Sequence, residues 1–447
     1  MAIALTGKYY AQISDKTYVK NLHSMQHAYL NTFGAPPITI GCIEVDNVAR
    51  RSLLMFDGIR TLRFDRKASQ QGNLAIFSLK VHCLFQLLHA EVDKQDMIMW
   101  SRIDIFVDTL RLRAPMHYDL HAYRNPRAAN RLCDNLVVAS VEAYRKVGFH
   151  QRDNAQEPEV RIESVCGSNI SCTTFSEHII FLVKPTTSSE YLHSKGLRVW
   201  TGDINRSRLP PRLPTPVEVR FSKFAACLSG EFRTFDMTYK GIETMLSQVN
   251  STNFACFRNA SAGQMETIRR RLSNVRDVRS IGYTWSQSDA CEWKKYAKIF
   301  PMWEGISCAY ESLRRYEIEH SLRFEYIIRL RTDGTYNANA LLLASEAVPK
   351  GVYGLPYKRF LPEQLLCDHF YVTSRTLALA TLRNDRPLRV CNRLQYLDCG
   401  RLPIPDTECL LKRRVEHWGG ALHVLQSPRT IVVRRADNRP GPKCGSV

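Results

Sequence analysis

Two apolar runs in this chain end in an arginine, one spacer residue and an aspartate. They are Met97-Ile-Met-Trp-Ser-Arg-Ile-Asp104 and Tyr326-Ile-Ile-Arg-Leu-Arg-Thr-Asp333. A carboxylate at the end of a buried strand can coordinate a divalent cation that bridges phosphates, or bond a sugar hydroxyl directly. That makes Asp333 and Asp104 candidates for catalysis and for metal binding. Arg331 stands two residues before Asp333, on the same face of the strand. Its planar guanidinium suits phosphate, and Arg102 repeats it before Asp104. The same residues would also serve as an Arg–Asp pair that closes a strand end.

Further candidates lie elsewhere. Ser229-Gly-Glu-Phe-Arg places Gly230 and Arg233 after an apolar strand. Backbone N–H groups at such a loop bond phosphate, and the arginine adds charge. The first part of the chain offers Gly7 and Lys8 at the matching place, with no arginine. Pro405-Asp-Thr-Glu408 brings in Asp406 and Glu408. Either carboxylate could act as a general base, or the segment could cap a helix. Glu177 matches Glu408, but Phe175 stands where Asp406 would be matched. Asp134 and Asp368, each after a cysteine, could hold acceptor hydroxyls or cap a loop. Arg269-Arg-Arg271 lies on a helix expected to begin near Ala262 and reads as a solvated basic face.

These markers recur in one order. Gly7 matches Gly230, Tyr18 matches Tyr239, Cys42 matches Cys256, and Asp104 matches Asp333. Cys133-Asp134 then matches Cys367-Asp368, and Glu177 matches Glu408. The offset drifts, from 214 residues at Cys42 to 234 at Cys133, as loop insertions would make it drift. The sequence therefore predicts two copies of one domain, 1–204 and 220–447. A Pro/Arg-rich linker over 205–219 joins them. Each copy reads as a strand ending in Gly, a helix, a second strand, a long helix, the R-x-D strand and a β-rich tail. Apolar residues at helical spacing mark the long helix: Ile76, Leu79, Cys83 and Leu87 in one copy, Ile306, Ala309, Leu313 and Tyr316 in the other. The expected class is α/β: two tandem Rossmann-like domains, with mostly parallel sheets and helices on both faces. Ligands bind beyond the carboxyl ends of such strands, where both the Gly loop and the R-x-D stand.

Composition sets the bounds. The chain has 447 residues, 44% of them hydrophobic and 23% charged, which excludes wholesale disorder. A net charge of +19 suits an anionic partner without choosing one. No apolar run reaches the ~18 residues that span a bilayer, and the N-terminus does not read as a signal peptide. The 14 cysteines contain no CxxC, and several sit in apolar runs. They read as free, buried thiols in a reducing, cytoplasmic compartment, with no disulfide expected.

The segments CLSGEFR, YIIRLRTD and PDTE resemble GT-A-type glycosyltransferases of bacterial capsule gene sets and of large algal DNA viruses. The resemblance spans about 200 residues of each half. It implies a nucleotide-diphosphate sugar donor and a glycan or glycoprotein acceptor. It also implies a strand-end aspartate that meets the donor and its Mn or Mg ion. Here R-x-D replaces the D-x-D of that group, which leaves the divalent cation open. A GT-B enzyme is disfavoured, because its halves share one cleft. Nucleic acid is not expected as a partner, since no RNP, helix-turn-helix or zinc signature occurs. The standing alternative is a non-catalytic carbohydrate- or nucleic-acid-binding protein built from duplicated α/β domains.

Overall fold

The computed structural model describes residues 2–6, 8–9, 15–45, 59–62, 79–84, 86–88, 97–102, 105–107, 120–124, 132–140, 143, 172–175, 179–181, 198–199, 219–232, 235–282, 300–336, 351–356, 366–383, 407–425 and 432–433. The chain divides into two compact units, Met1–Val219 and Arg220–Val447.

In the first unit the strands are β1 (Ala2–Thr6), β2 (Lys8–Tyr9), β3 (Ile38–Val45), β4 (Ile59–Leu62), β5 (Met97–Arg102), β6 (Ile105–Val107), β7 (Leu120–Arg124), β8 (Leu132–Ser140), β9 (Cys172–Phe175), β10 (Ile179–Phe181) and β11 (Arg198–Val199). Helix α1 is Asp15–Phe33. The central sheet runs β3-β1-β5-β8-β7-β9, with β2 and β4 beside β3. Strands β3, β1 and β5 are parallel, and β8 is antiparallel to both β5 and β7.

The second unit holds β12 (Arg220–Glu231), β13 (Thr252–Arg258), β14 (Val275–Ile281), β15 (Leu322–Arg331), β16 (Gly334–Thr335), β17 (Gly351–Pro356), β18 (Leu366–Ser374), β19 (Ala421–Val424) and β20 (Val432–Val433). Its helices are α2 (Phe235–Gln248), α3 (Ala262–Arg271), α4 (Phe300–Glu319), α5 (Ala378–Leu382) and α6 (Thr407–His417). The sheet order is β14-β13-β12-β15-β18-β17-β19. Strands β14, β13, β12 and β15 are parallel; β18 runs against β15 and β17. Strand for strand, this repeats the order and directions of the first unit, and the α/β class expected from sequence holds for both.

Apolar residues on both faces explain why these strands are central. Phe224, Ala226 and Leu228 of β12 face one side. There they pack with Phe235, Ile242, Met245 and Leu246 of α2 and Ile268 of α3. Helix α3 starts where Ser261 and Gln264 form a capping box. The other face meets α4, which a disulfide between Cys256 of β13 and Cys308 ties down. A buried ionic cluster fixes the far end of α4. Glu317 Oε2 accepts from Arg375 Nη2 at 2.6 Å, lies 3.7 Å from Arg323 Nη1, and Oε1 accepts from the Phe324 amide at 3.0 Å. Burial pushes the Glu317 carboxyl up to about 7, against the pull of Arg323.

The expectation of free thiols is wrong. Cys42 bonds Cys83 in the first unit, as Cys256 bonds Cys308 in the second. Cys367 and Cys409 are disulfide-bonded too. An apolar run around a cysteine says that it is buried, and a buried cysteine can face another across two packed layers. The reading of a reducing, cytoplasmic compartment rested on those thiols and loses that support, because persistent disulfides belong to oxidising surroundings. Cys227 is a free, buried cysteine, and burial raises its pKa far above the ordinary thiol value. Six of the 14 cysteines are thus accounted for in disulfides. Thiol titration of denatured, unreduced protein is expected to find no more than eight reactive groups. Twelve or more would refute the pairing, since only about two could then be oxidised.

Candidate active site

Strand order reverses between β12 and β15. From β12 the chain moves outward to β13 and β14, then returns to the other side of β12 as β15. At such a switch point the connections leave in opposite directions and open a crevice beyond the strand ends. Ser229 of β12 pairs with Arg331 of β15, so the two strand ends stand side by side. Gly230 and the R-x-D therefore flank one crevice.

Their contact is close. The Thr332 amide donates to Ser229 O at 3.3 Å, and its hydroxyl donates to Glu231 O at 3.2 Å. A Cβ on residue 230 would clash with Thr332 Oγ1, and Gly230 has φ +153°. Glycine is needed here for that approach. From below, the Thr238 hydroxyl of α2 donates to Thr332 O at 2.5 Å.

Asp333 turns back onto Arg331. Arg331 Nε donates to Oδ1 at 2.9 Å and Nη2 to Oδ2 at 2.6 Å. Burial alone would raise the Asp333 carboxyl; the two hydrogen bonds and the charge of Arg331 outweigh it and hold it below the usual carboxylate range. Burial pulls the guanidinium the other way, yet Asp333 keeps its pKa raised. Tyr336 locks the turn. Its hydroxyl donates to Arg331 O at 2.7 Å and accepts from the Arg331 amide at 3.0 Å. Gly334 leaves room for that phenol. Strand β16 continues from Asp333 and pairs with β20, Gly334 opposite Val433.

Because β18 is antiparallel, its first residues reach the carboxyl end of β15. Leu330 pairs with Phe370, so Asp368 and His369 stand beside the Arg331–Asp333 pair. Asp368 lies close enough for its charge to act on Arg331, and His369 acts on Asp333. Asp368 Oδ1 is 3.3 Å from His369 Nε2. Beneath them Arg329 is fully buried, opposite Tyr371 in register. One guanidinium N–H donates to Leu330 O, while Nε and Nη2 have no hydrogen-bond partner.

The structure thus gathers Gly230, Arg331, Asp333 and Asp368. Glu408 is buried in the first turn of α6, which packs on β18 and shares a cavity lining with Asp368 through Leu410, Leu411 and Arg414. Arg233, Asp406, Gly7, Asp104 and Glu177 lie outside the described residues. Lys8 lies on β2, paired with Glu44 of β3. Arg102 ends β5 opposite Thr6, and Asp134 lies on β8 two residues before Leu136, the partner of Ser101. Trp100 is buried at the place of Arg329, and its indole donates to Thr6 Oγ1 at 3.0 Å. Sequence reasoning missed His369 and Tyr336. The signal for His369 was its adjacency to Asp368; for Tyr336 it was the glycine-bearing turn after Asp333.

A divalent cation fits this donor set poorly. Both Asp333 oxygens already accept from a fixed cation. Cys367, Asp368 and His369 do form a compact cluster, their ligand atoms within 4.8 Å of one another. Cys367 is in a disulfide, however, and offers no thiolate.

No family model matches the chain, and no curated protein matches it. Among solved structures, the glycosyltransferase GlyE of Streptococcus pneumoniae is 8% identical, covering 62% of this chain and 79% of its own, with TM-score 0.25. A glycosyltransferase involved in glycosylation of the major capsid of PBCV-1 is 10% identical, covering 35% and 68%, with TM-score 0.20. A nucleoside-diphosphate-sugar pyrophosphorylase of Vibrio cholerae is 15% identical, covering 40% and 95%, with TM-score 0.27. Among the described residues, no helix is long and apolar enough to cross a membrane.

Two outcomes follow from this geometry. Gly230→Ala is expected to cost about 1–3 kcal/mol in urea unfolding, from the forced backbone and the displaced Thr332. Thr332→Ala should recover part of that loss in the double variant; strict additivity would sink the contact. The second outcome concerns pH. Burial first, and the charge of Arg331 with it, hold the His369 pKa below its ordinary 6.5. Between the two values the unfolded chain binds a proton that the folded chain does not. The contribution of His369 to stability is therefore full above about pH 6.5 and falls as pH drops through that window, opposite in sign to that of Glu317. His369→Gln is expected to flatten the melting curve against pH there, and an unchanged slope would contradict it.

Proposed function

We propose that the chain is a glycosyltransferase that moves a sugar from a nucleotide-diphosphate sugar to a hydroxyl of a glycan or glycoprotein. One observation carries this reading: Gly230 and a fixed Arg–Asp pair flank the switch point of a Rossmann-like sheet, with Asp368 and His369 brought beside them by an antiparallel strand. The donor diphosphate lies at the β12 and β15 ends. Backbone N–H groups at the Gly230 turn and the Arg331 guanidinium meet its oxygens. Asp333 holds that guanidinium in place and accepts from a donor sugar hydroxyl with its remaining lone pairs.

An acceptor oxygen attacks the anomeric carbon as the bond to the diphosphate breaks. The bonding electrons leave with the nucleoside diphosphate, whose charge Arg331 neutralises. The acceptor proton passes to a carboxylate, for which Glu408, Asp406 and Asp368 are the candidates. Since the donor set fits a cation poorly, this reading routes no step through one.

We propose further that the two units are copies of one domain, 1–204 and 220–447 across the 205–219 linker. They share strand order and directions and a disulfide at the same place. The second copy is the working site. Trp100 replaces Arg329 in the first copy, which removes the buried charge beneath its R-x-D, and Lys8 is the cation there in place of Arg233. A charge-assisted contact to the donor is worth roughly 1.5–3 kcal/mol.

A panel of UDP-, GDP-, ADP- and dTDP-sugars tests this, with donor hydrolysis as the readout. Asp333→Ala should abolish most turnover of the accepted donor, and Asp104→Ala should spare it. Equal losses would mean one shared site. EDTA should leave the rate within about twofold, against the tenfold or larger loss expected if a Lewis acid were removed.

A further inference from the structure

The second unit has another cavity, of about 350 Å³, at the opposite edge of its sheet. It is lined by Arg276 and Asp277 at the start of β14, Phe254 of β13, and Ser312, Arg315, Tyr316, Glu319 and His320 around the end of α4. Helix α4 runs into the amino end of β15, whereas Asp333 follows its carboxyl end. The length of β15 separates them, about 30 Å at 3.3 Å per residue.

One wall is aromatic. Tyr316 and His320 stack with centroids 4.0 Å apart and planes 23° apart, and Phe254 meets Tyr316 edge-on at 5.5 Å. The Arg276 guanidinium lies 5.9 Å from the Tyr316 centroid. His320 Nδ1 is 3.1 Å from Tyr316 O. A carbonyl only accepts, so Nδ1 carries the proton and Nε2 is left for a ligand. Asp277 is held by Arg279 at 2.6 Å. The Ser312 hydroxyl is buried at 3% exposure and has no partner.

This lining selects by elimination. A strongly anionic ligand would meet Glu319 and Asp277. A purely apolar one would strip water from four charged groups. A ring that is flat and C–H-rich on its faces, with alternating donors and acceptors around its rim, suits all of them. Arginines donate to such a rim, Glu319 and Nε2 accept from it, and Ser312 does either. The volume lies within the range of small-ligand sites.

We propose that this cavity is an accessory carbohydrate site that binds a neutral pyranose unit of a glycan, remote from the switch point. The proposal does not depend on the transfer reading. It is tested by probing a printed array of neutral and sulfated oligosaccharides with the labelled full chain. Wild type is expected to bind at least one neutral glycan. Arg276→Ala and Glu319→Gln, both on exposed side chains, should each weaken that signal about tenfold or more. Asp333→Asn should keep it. Tyr316→Ala is added with a melting check, since it packs on Phe254. Absence of any bound glycan would overturn the proposal. So would binding confined to sulfated glycans, or binding lost in Asp333→Asn and kept in the cavity variants.

Discussion

The architecture of the candidate site depends on one steric constraint: the ends of β12 and β15 stand so close that the Thr332 hydroxyl takes the space a Cβ at residue 230 would need. That approach lets the Thr332 amide and hydroxyl bond the backbone of β12 at Ser229 and Glu231. With Thr332 pinned, the chain must turn at once, and the turn throws Asp333 back onto Arg331. Tyr336 then closes the turn from the far side. Each step uses the rigidity of the previous one. A carboxylate and a guanidinium are thereby fixed at a crevice before any ligand arrives, which is what charge stabilisation in a transfer reaction needs.

Such a site needs a stiff foundation, and the fold supplies it on both faces of the sheet. Apolar packing of α2 and α3 covers one side. On the other, the Cys256–Cys308 disulfide holds the middle of α4 and the Glu317 cluster its carboxyl end. A buried ion pair costs desolvation that its attraction barely offsets, so the cluster adds little net stability. Its value is registry. Arg323 begins β15, Arg375 follows β18, and Glu317 ends α4, so one carboxylate sets three elements in relation. The first unit reproduces the sheet order and the disulfide, with Trp100 buried where the second unit has Arg329. Scaffold and chemistry are separable there, as expected where function lives in sites grafted on folds.

Much of this was legible in the chain. Apolar runs ending in Gly230 and in Arg331-Thr-Asp333 revealed both strands and their carboxyl ends. The helix expected to begin near Ala262 is α3. The parallel strands were legible from the alternation with helices, but the antiparallel direction of β18 was not, because periodicity two reads the same either way. Hence Asp368 could be named as a candidate but not placed beside Asp333. Nor was the cysteine pairing: Cys256 and Cys308 each sit in an apolar run, and only the packing of α4 on β13 brings them to one another. Tyr336 escaped because its role runs through a backbone amide and carbonyl, which leave no residue signature. The same holds for Thr332, whose neighbour across the crevice is a glycine.

The central claim is that the β12–β15 switch point receives the diphosphate of a nucleotide sugar. Hydrogen–deuterium exchange of the full chain, with and without a pool of nucleotide-diphosphate sugars, tests it most directly. The account predicts slowed exchange over 229–232 and 331–336, lost in Arg331→Ala. Protection elsewhere in the chain, or none in these two segments, would contradict it.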